Sequence, residues 1–294
     1  MSTTQLIELY CTICNLYSST LCVEAQRLSN NFRPKFTDEE ALTVYLWGIS
    51  NGFYEQKAIY AFIRNYYFEW FPKLPSYQNF SRRLDYLAPC FMVLTEILLC
   101  RGGALYEKFI SKQAIDSLPI MVAKQSRSSY AKTASEFCSK GYCSTKKLYY
   151  YGVKLHLRGF LRPGTIPFPC QMEVTGANEF DLTVAKRILH NQYDFTLFAD
   201  KAYCDREWTR FMMEHNRVSV ITPPKKAKGQ ECLSFFDGIL STMICSIRQP
   251  IESFFNWLIV KTHIQNAEKV RSTNGLFLHI FGKLAAALFF LLPL

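Results

Sequence analysis

The spacing of apolar residues changes character near residue 110. Before it, apolar positions recur at helical intervals. Leu42, Tyr45, Leu46 and Ile49 follow Thr37-Asp38-Glu39-Glu40. That tetrad is a capping box, in which the Thr side chain accepts from the Glu40 N–H and the Glu reaches back. Further helices are predicted over Gln56–Trp70, stopping at Phe71-Pro72, and over Tyr77–Leu84 behind a Ser76 cap. After residue 110 the runs shorten. Strands are predicted at Gln113–Met121, Leu148–Leu157, Ile166–Val174, Phe195–Ala199 and Val218–Thr222. Along the second, Val153, Leu155 and Leu157 alternate with Lys154, His156 and Arg158, the mark of a half-buried strand with a basic face. Helices are predicted from the turn at Thr175–Glu179 to Leu189, over Asp205–His215, and beyond the basic loop Pro223–Gly229 to the C-terminus. Grouped strands followed by strands alternating with helices imply an α/β layered domain over residues 111–294, preceded by a helical domain over residues 1–110. The closing run Leu284–Leu294 is apolar but short of the roughly twenty residues a membrane span needs, so a terminal core helix and no membrane are expected.

Charge sharpens this division. The 294 residues carry a net charge of +10, yet residues 1–110 balance ten Lys/Arg against ten Asp/Glu. Residues 111–160 hold nine Lys/Arg against only Asp116 and Glu136, a net of +7. A basic field of that kind suits a bound polyanion, although any single Lys within it reads equally well as a solvated one. In the helical domain, a turn followed by a helix carrying Tyr77, Asn79, Arg82 and Arg83 fits either a major-groove reader or an ordinary helix with solvated arginines. The eleven cysteines show no repeating spacing, and Cys11-x-x-Cys14 has no second pair to complete a zinc site. With no basic leader at Met1-Ser2-Thr3-Thr4-Gln5, the expectation is a cytoplasmic protein with reduced, buried thiols.

Three acidic residues are hard to explain structurally. Asp116 lies in the apolar run Ala114–Ile120, and Asp200 closes Phe195–Ala199. Glu252 lies on a helix whose apolar stripe is Ile247, Ile251, Phe254, Phe255 and Leu258, with Arg248, Glu252 and Asn256 along a polar edge. Glu252 alone would be a helical Arg–Glu pair. Carboxylates at strand ends are costly unless paired or bound to a cation, and ligands of α/β sheets gather at the carboxyl ends of strands. Two such Asp and a Glu from a packed helix could hold two Mg²⁺ ions roughly 4 Å apart, the arrangement of in-line phosphoryl transfer. No Ser is set beside His and Asp in a marked turn, which argues against a serine hydrolase.

Four blocks in order, Ile115-Asp116-Ser117-Leu118-Pro119, Tyr151-Gly152-Val153-Lys154-Leu155-His156, Ala199-Asp200-Lys201-Ala202-Tyr203 and Arg248-x-x-x-Glu252, resemble the DDE-type transposases of bacterial insertion sequences over roughly residues 37–290. The resemblance implies a ribonuclease H-like mixed-sheet core, with Asp116, Asp200 and Glu252 as catalytic metal ligands for two Mg²⁺ (or Mn²⁺) ions. It also implies double-stranded DNA as partner, a homodimer on paired element ends, and 3′-end hydrolysis followed by joining of the 3′-OH to target DNA. Arg248, Lys225, Lys226 and Lys228 are then expected at DNA phosphates. Lys154, His156 and Lys201 would lie towards DNA or metal, although His156 reads equally well as a hydrogen-bonded strand histidine, and Arg82 and Arg83 would serve end recognition. Two positions depart from the family's last motif. Its usual Tyr is Cys245 here, and its later Lys is Ile259, with Lys261 nearby. A DNA-binding relic that no longer cuts and a stand-alone metal-dependent nuclease remain as alternatives.

Overall fold

Six strands, among the described residues, pair into one mixed sheet that can be built outward from its central strand, β1 (Lys112–Lys124). The computed structural model describes residues 3–26, 34–226, 229–230 and 232–292. On one side β1 pairs antiparallel with β3 (Leu148–Phe160) along nearly its whole length, Gln113 opposite Phe160 and Lys124 opposite Tyr150. The far edge of β3 is shared end to end. Residues 148–152 pair with β2 (Ser139–Cys143), and residues 153–160 pair with β4 (Phe168–Gly176), both antiparallel. On its other side β1 pairs parallel with β5 (Thr196–Phe198), which in turn pairs parallel with β6 (Ser219–Ile221). The parallel connections run through the helices α6 (Asp181–Ile188) and α7 (Arg206–Asn216). An antiparallel group of three long strands joined to a short parallel pair is the ribonuclease H-like arrangement, and it follows a helical N-terminal region.

The sequence expectations need three corrections here. β1 continues to Lys124 rather than stopping at Met121, passing through Pro119. A proline is tolerated because β5 has already ended at Phe198, leaving β1 as a sheet edge at that level. β2 was not expected at all: Ser-Lys-Gly-Tyr-Cys has neither an apolar run nor a clean alternation. Along α8 (Phe235–Thr262) Ile251, Phe254, Phe255 and Leu258 are buried as expected, and the departure is at the start of the stripe. Ile244, Ile251 and Phe255 are buried with Arg248 among them, whereas Ile247 is 37% exposed. An arginine therefore takes a core-facing position one residue away from the isoleucine expected there.

The chain forms two compact units, Cys100–Trp257 and Met1–Leu99 with Leu258–Leu294. In the first, Ile115, Val184, Ile188, Leu197, Ala199, Tyr203, Trp208, Met212 and Val220 form a core in which β1, β5 and β6 are covered by α6 and α7. Truncating one of its large members, Leu197→Ala for example, costs about 2–5 kcal/mol by the general behaviour of such sites.

The second unit is helical: α1 (Thr3–Ser19), α2 (Asp38–Ser50), α3 (Gln56–Tyr66), α4 (Tyr77–Tyr86), the first part of α5 (Ala88–Leu105), the end of α8, α9 (Thr273–Phe277) and α10 (Lys283–Leu291). The capping box forms, with Thr37 N–H donating to Glu40 Oε2 at 2.6 Å and Glu40 N–H to Thr37 Oγ1 at 3.2 Å. Ser76 precedes α4, but its side chain caps no backbone N–H, and α3 stops at Tyr66 rather than Trp70. Gly282 lets the C-terminal segment approach α2, since a Cβ there would lie 2.6 Å from the Tyr45 ring. Ala88–Leu105 and Thr273–Leu291 are long and apolar enough to cross a membrane by length and composition. In this unit Leu276, Ile280, Leu284 and Leu288 are core side chains, at most 1% exposed. The thiols are all free, but Cys11, Cys22, Cys100, Cys232 and Cys245 are exposed, against the expectation that they would be buried.

Candidate active site

Register places the first two acids. Ala114 of β1 stands beside Phe198 of β5 in the parallel pair, and Asp116 and Asp200 each lie two residues further on. Neighbouring strands are about 4.8 Å apart, so the two carboxylates project side by side where β5 ends. Asp116 is thus not at a strand end, as the sequence suggested. It lies within β1, and the end belongs to its neighbour. The chain leaves β5 through a 3₁₀ turn, Lys201–Tyr203, in which Asp200 accepts from the Lys201 N–H.

Glu252 arrives from α8, and Arg248 one turn earlier binds the cluster together. Its Nη2 lies 3.3 Å from Asp116 Oδ2 and 3.9 Å from Glu252 Oε1, while Nη1 lies 3.9 Å from Asp200 Oδ1. The arginine side chain is 6% exposed, Asp116 24%, and Asp200 and Glu252 about half. One buried cation is therefore shared by three carboxylates, a formal excess of negative charge facing solvent. Burial, offset by Arg248 and by the Ser117 N–H at 2.8 Å, pushes the Asp116 carboxyl up to about 6, with Asp200 and Asp181 adding repulsion. Arg248 Nε is buried without a hydrogen-bond partner among the described residues.

The remaining expected residues are distributed as follows. Lys154 is a scaffold contact, its Nζ donating to the Glu179 carbonyl at 2.8 Å and to Asp181 Oδ1 at 3.0 Å. His156 is 1% exposed, with Nε2 2.8 Å from Thr175 Oγ1. Burial holds its imidazole down at about 4, against the pull of Asp181, so it is neutral at physiological pH. Neither side chain is presented to solvent in the way a basic strand face implied. Lys201, Lys225 and Lys226 are exposed, and Lys228 lies outside the described residues. In the helical unit Arg83 forks onto Asp38, with Nε at 2.6 Å, and also donates to the Ala25 carbonyl at 3.1 Å. Arg82 beside it is exposed.

Two residues near the acids were not singled out as site residues. The Tyr203 hydroxyl is buried without a hydrogen-bond partner among the described residues, and burial followed by the charges of Asp116 and Asp181 drives it well above the usual phenol range. Its position three residues after Asp200 was visible in the sequence. Asp181, at the start of α6, joins Lys154 and His156 to the edge of the cluster. Gly48-Ile49-Ser50-Asn51-Gly52 does have the nucleophile-elbow spacing, but Ser50 ends helix α2 rather than sitting in a strand-to-helix turn.

The donor set suits hard divalent ions, since carboxylate oxygens are what Mg²⁺ and Mn²⁺ prefer. As placed, the three acids are spread around the guanidinium. Among the described residues no three His, Cys, Asp or Glu side chains are grouped closely enough to hold one ion.

The carboxylates thus collect at the antiparallel-to-parallel junction of a ribonuclease H-like sheet. Residues 108–274, more than half of the chain, match the transposase DDE domain, and the chain belongs to that family. Members of the family act on DNA and generally use divalent metals. No curated protein and no solved structure matches the chain.

Proposed function

We propose that this chain binds the ends of a bacterial mobile element, hydrolyses the 3′ phosphodiester there and joins the freed 3′-OH to target DNA. The observation that carries the reading is the meeting of Asp116, Asp200 and Glu252 at the single guanidinium of Arg248. On this reading the three acids hold two Mg²⁺ or Mn²⁺ ions, which when bound lower the pKa of the attacking water or hydroxyl and stabilise the leaving oxygen. Asp116 and Asp200 are set side by side by strand register, and binding an ion would require the acids to close in from around the guanidinium. Arg248 is the counter-charge that keeps three like charges together meanwhile, and it remains beside the site to meet a DNA phosphate. Lys201, Lys225, Lys226 and Lys228 supply further phosphate contacts, and Arg82 contributes to end recognition. The reading includes action as a homodimer on paired ends, in the bacterial nucleoid.

The test is cleavage and joining of oligonucleotides that carry the element's own ends, in Mg²⁺, for wild type and Asp200→Ala. Metal-dependent joining that the substitution abolishes is the expected result. Cleavage without joining would point to a stand-alone nuclease, and binding with no chemistry to a DNA-binding relic.

A further inference from the structure

We propose that the β2–β3 hairpin is a second DNA contact surface, on which unpaired bases stack against Tyr142 and Tyr149 while Lys140, Lys146 and Lys147 meet the phosphates. The inference rests on the DNA-acting reading above and adds a site that the acidic cluster does not account for.

The hairpin has an inside and an outside. Its inner side chains, Cys143 and Tyr150, pack with Met121 and Ala177 in a small core of their own. Gly141 closes this core, because a Cβ there would lie 2.4 Å from the Ala177 carbonyl oxygen. Ser139 Oγ, 2.7 Å from Asn178 Oδ1 and accepting from the Asn178 N–H at 3.0 Å, ties the same strand to the turn after β4. The hairpin is therefore a fixed platform rather than a loose flap.

Its outer face is built differently. Tyr142 and Tyr149 stand directly opposite each other in the ladder, with ring centroids 5.0 Å apart. They remain 52% and 57% exposed, although neither is needed to cover the core beneath. Lys140 Nζ lies 5.2 Å from the Tyr149 ring centroid, and Lys146 and Lys147 are exposed at the tip. From residue 137 to residue 172 the chain has no Asp or Glu. A cross-strand tyrosine pair alone contributes to hairpin stability, but stability gives no reason to gather cations without a single anion in that stretch of chain. Exposed aromatic faces flanked by cations are what single-stranded nucleic acid uses, since every base has a π-face and every linkage a negative charge.

The placement fits the reaction. Asp116 pairs with Leu157, eight residues along β3 from Tyr149. At about 3.3 Å per residue that is roughly 26 Å, within one turn of duplex DNA, about 34 Å. A strand whose phosphate lies at the acids can therefore reach the hairpin a few nucleotides away.

The experiment is fluorescence anisotropy in EDTA, which prevents chemistry, with the full chain and a labelled duplex that is either blunt or carries a single-stranded overhang. Tyr142→Leu with Tyr149→Leu should weaken overhang binding at least about tenfold and leave the blunt duplex within about twofold. Lys146→Gln with Lys147→Gln should reduce the slope of log affinity against log salt by about 1 to 2. The affected side chains are exposed, so unchanged melting curves will show that the variants fold. Wild-type affinity and salt slope in both variants would overturn the hairpin as a contact surface while the DNA-acting reading stands. Equal losses on blunt and overhang duplexes would overturn base stacking. A wild-type chain that bound neither duplex would overturn the DNA-acting reading, and the hairpin assignment with it.

Discussion

Arg248 and Lys283 are both buried cations, 5% and 2% exposed, and the difference between them separates a site from a scaffold. Arg248 is met by three carboxylates, two of them half in water. Lys283 of the helical unit donates to one backbone carbonyl, that of His263, at 3.3 Å. Burial pulls its ammonium down to about 7, with only a weak opposing pull from Glu55, and burial then Lys283 itself hold neighbouring His279 at about 3. A guanidinium stays charged in proteins, whereas a buried ammonium can shed its proton. The helical unit thus accommodates its buried cation by making its proton easy to lose. The sheet unit surrounds its own with more negative charge than is needed, and on the proposed reading that surplus is where a metal ion would bind.

The largest expected effect tests the surplus. Asp200→Ala should reduce metal-dependent joining by at least about a thousandfold, since groups acting as one catalytic unit fail together. Joining within tenfold of wild type would mean that the cluster is no more catalytic than Lys283.

Next comes the scaffold cation, where the sign can be worked out. Its folded pKa, about 7, lies below the ordinary 10.5, so between these values the unfolded chain binds more protons and stability rises with pH. The cost of burying the ammonium is therefore fully present below pH 7 and gone above about 10.5. Lys283→Met should stabilise the fold by roughly 2–4 kcal/mol at pH 6, a gain that fades towards pH 10. A gain that does not vary with pH in denaturant titrations would indicate packing rather than charge.

Arg248→Gln should act in the opposite direction. Removing one member of a buried ion pair costs about 3–5 kcal/mol, but two of its three partners are half solvated, so a loss of about 1–3 kcal/mol is expected in EDTA. Adding Mg²⁺ should restore part of it, measured as a melting shift larger than that of wild type. The smallest effect is local to the helical unit. Thr37→Ala removes half of the capping box and should cost about 1 kcal/mol with no change in ion binding.

The strand runs and the Arg-x-x-x-Glu turn were legible from local pattern, because each depends on residues a few positions apart. Alternation along Val153–Leu157 gave β3, and the run ending at Ala199 gave β5. Features set by distant partners were not legible. That Arg248 faces inward depends on acids 132 and 48 positions away, Asp116 and Asp200, and the helical periodicity alone favoured Ile247 for that face. Lys154 and His156 looked solvent-facing by alternation, yet Asp181 at the start of α6 and Thr175 of β4 hold them. β2 is held by Gly141 against Ala177, a close approach that leaves no apolar signature in Ser-Lys-Gly-Tyr-Cys.

Both passages of the chain between the two units fall inside helices, at Leu99/Cys100 in α5 and at Trp257/Leu258 in α8. Neither boundary offers a loop at which the chain can be opened. A protease cannot release the sheet unit by cutting an exposed linker, and recombination between relatives cannot exchange one unit at a natural seam without breaking two helices. Glu252 lies five residues from the second crossing, so any splice there must rebuild the helix that carries it. In this molecule the helical unit and the acidic site are constrained to be inherited together.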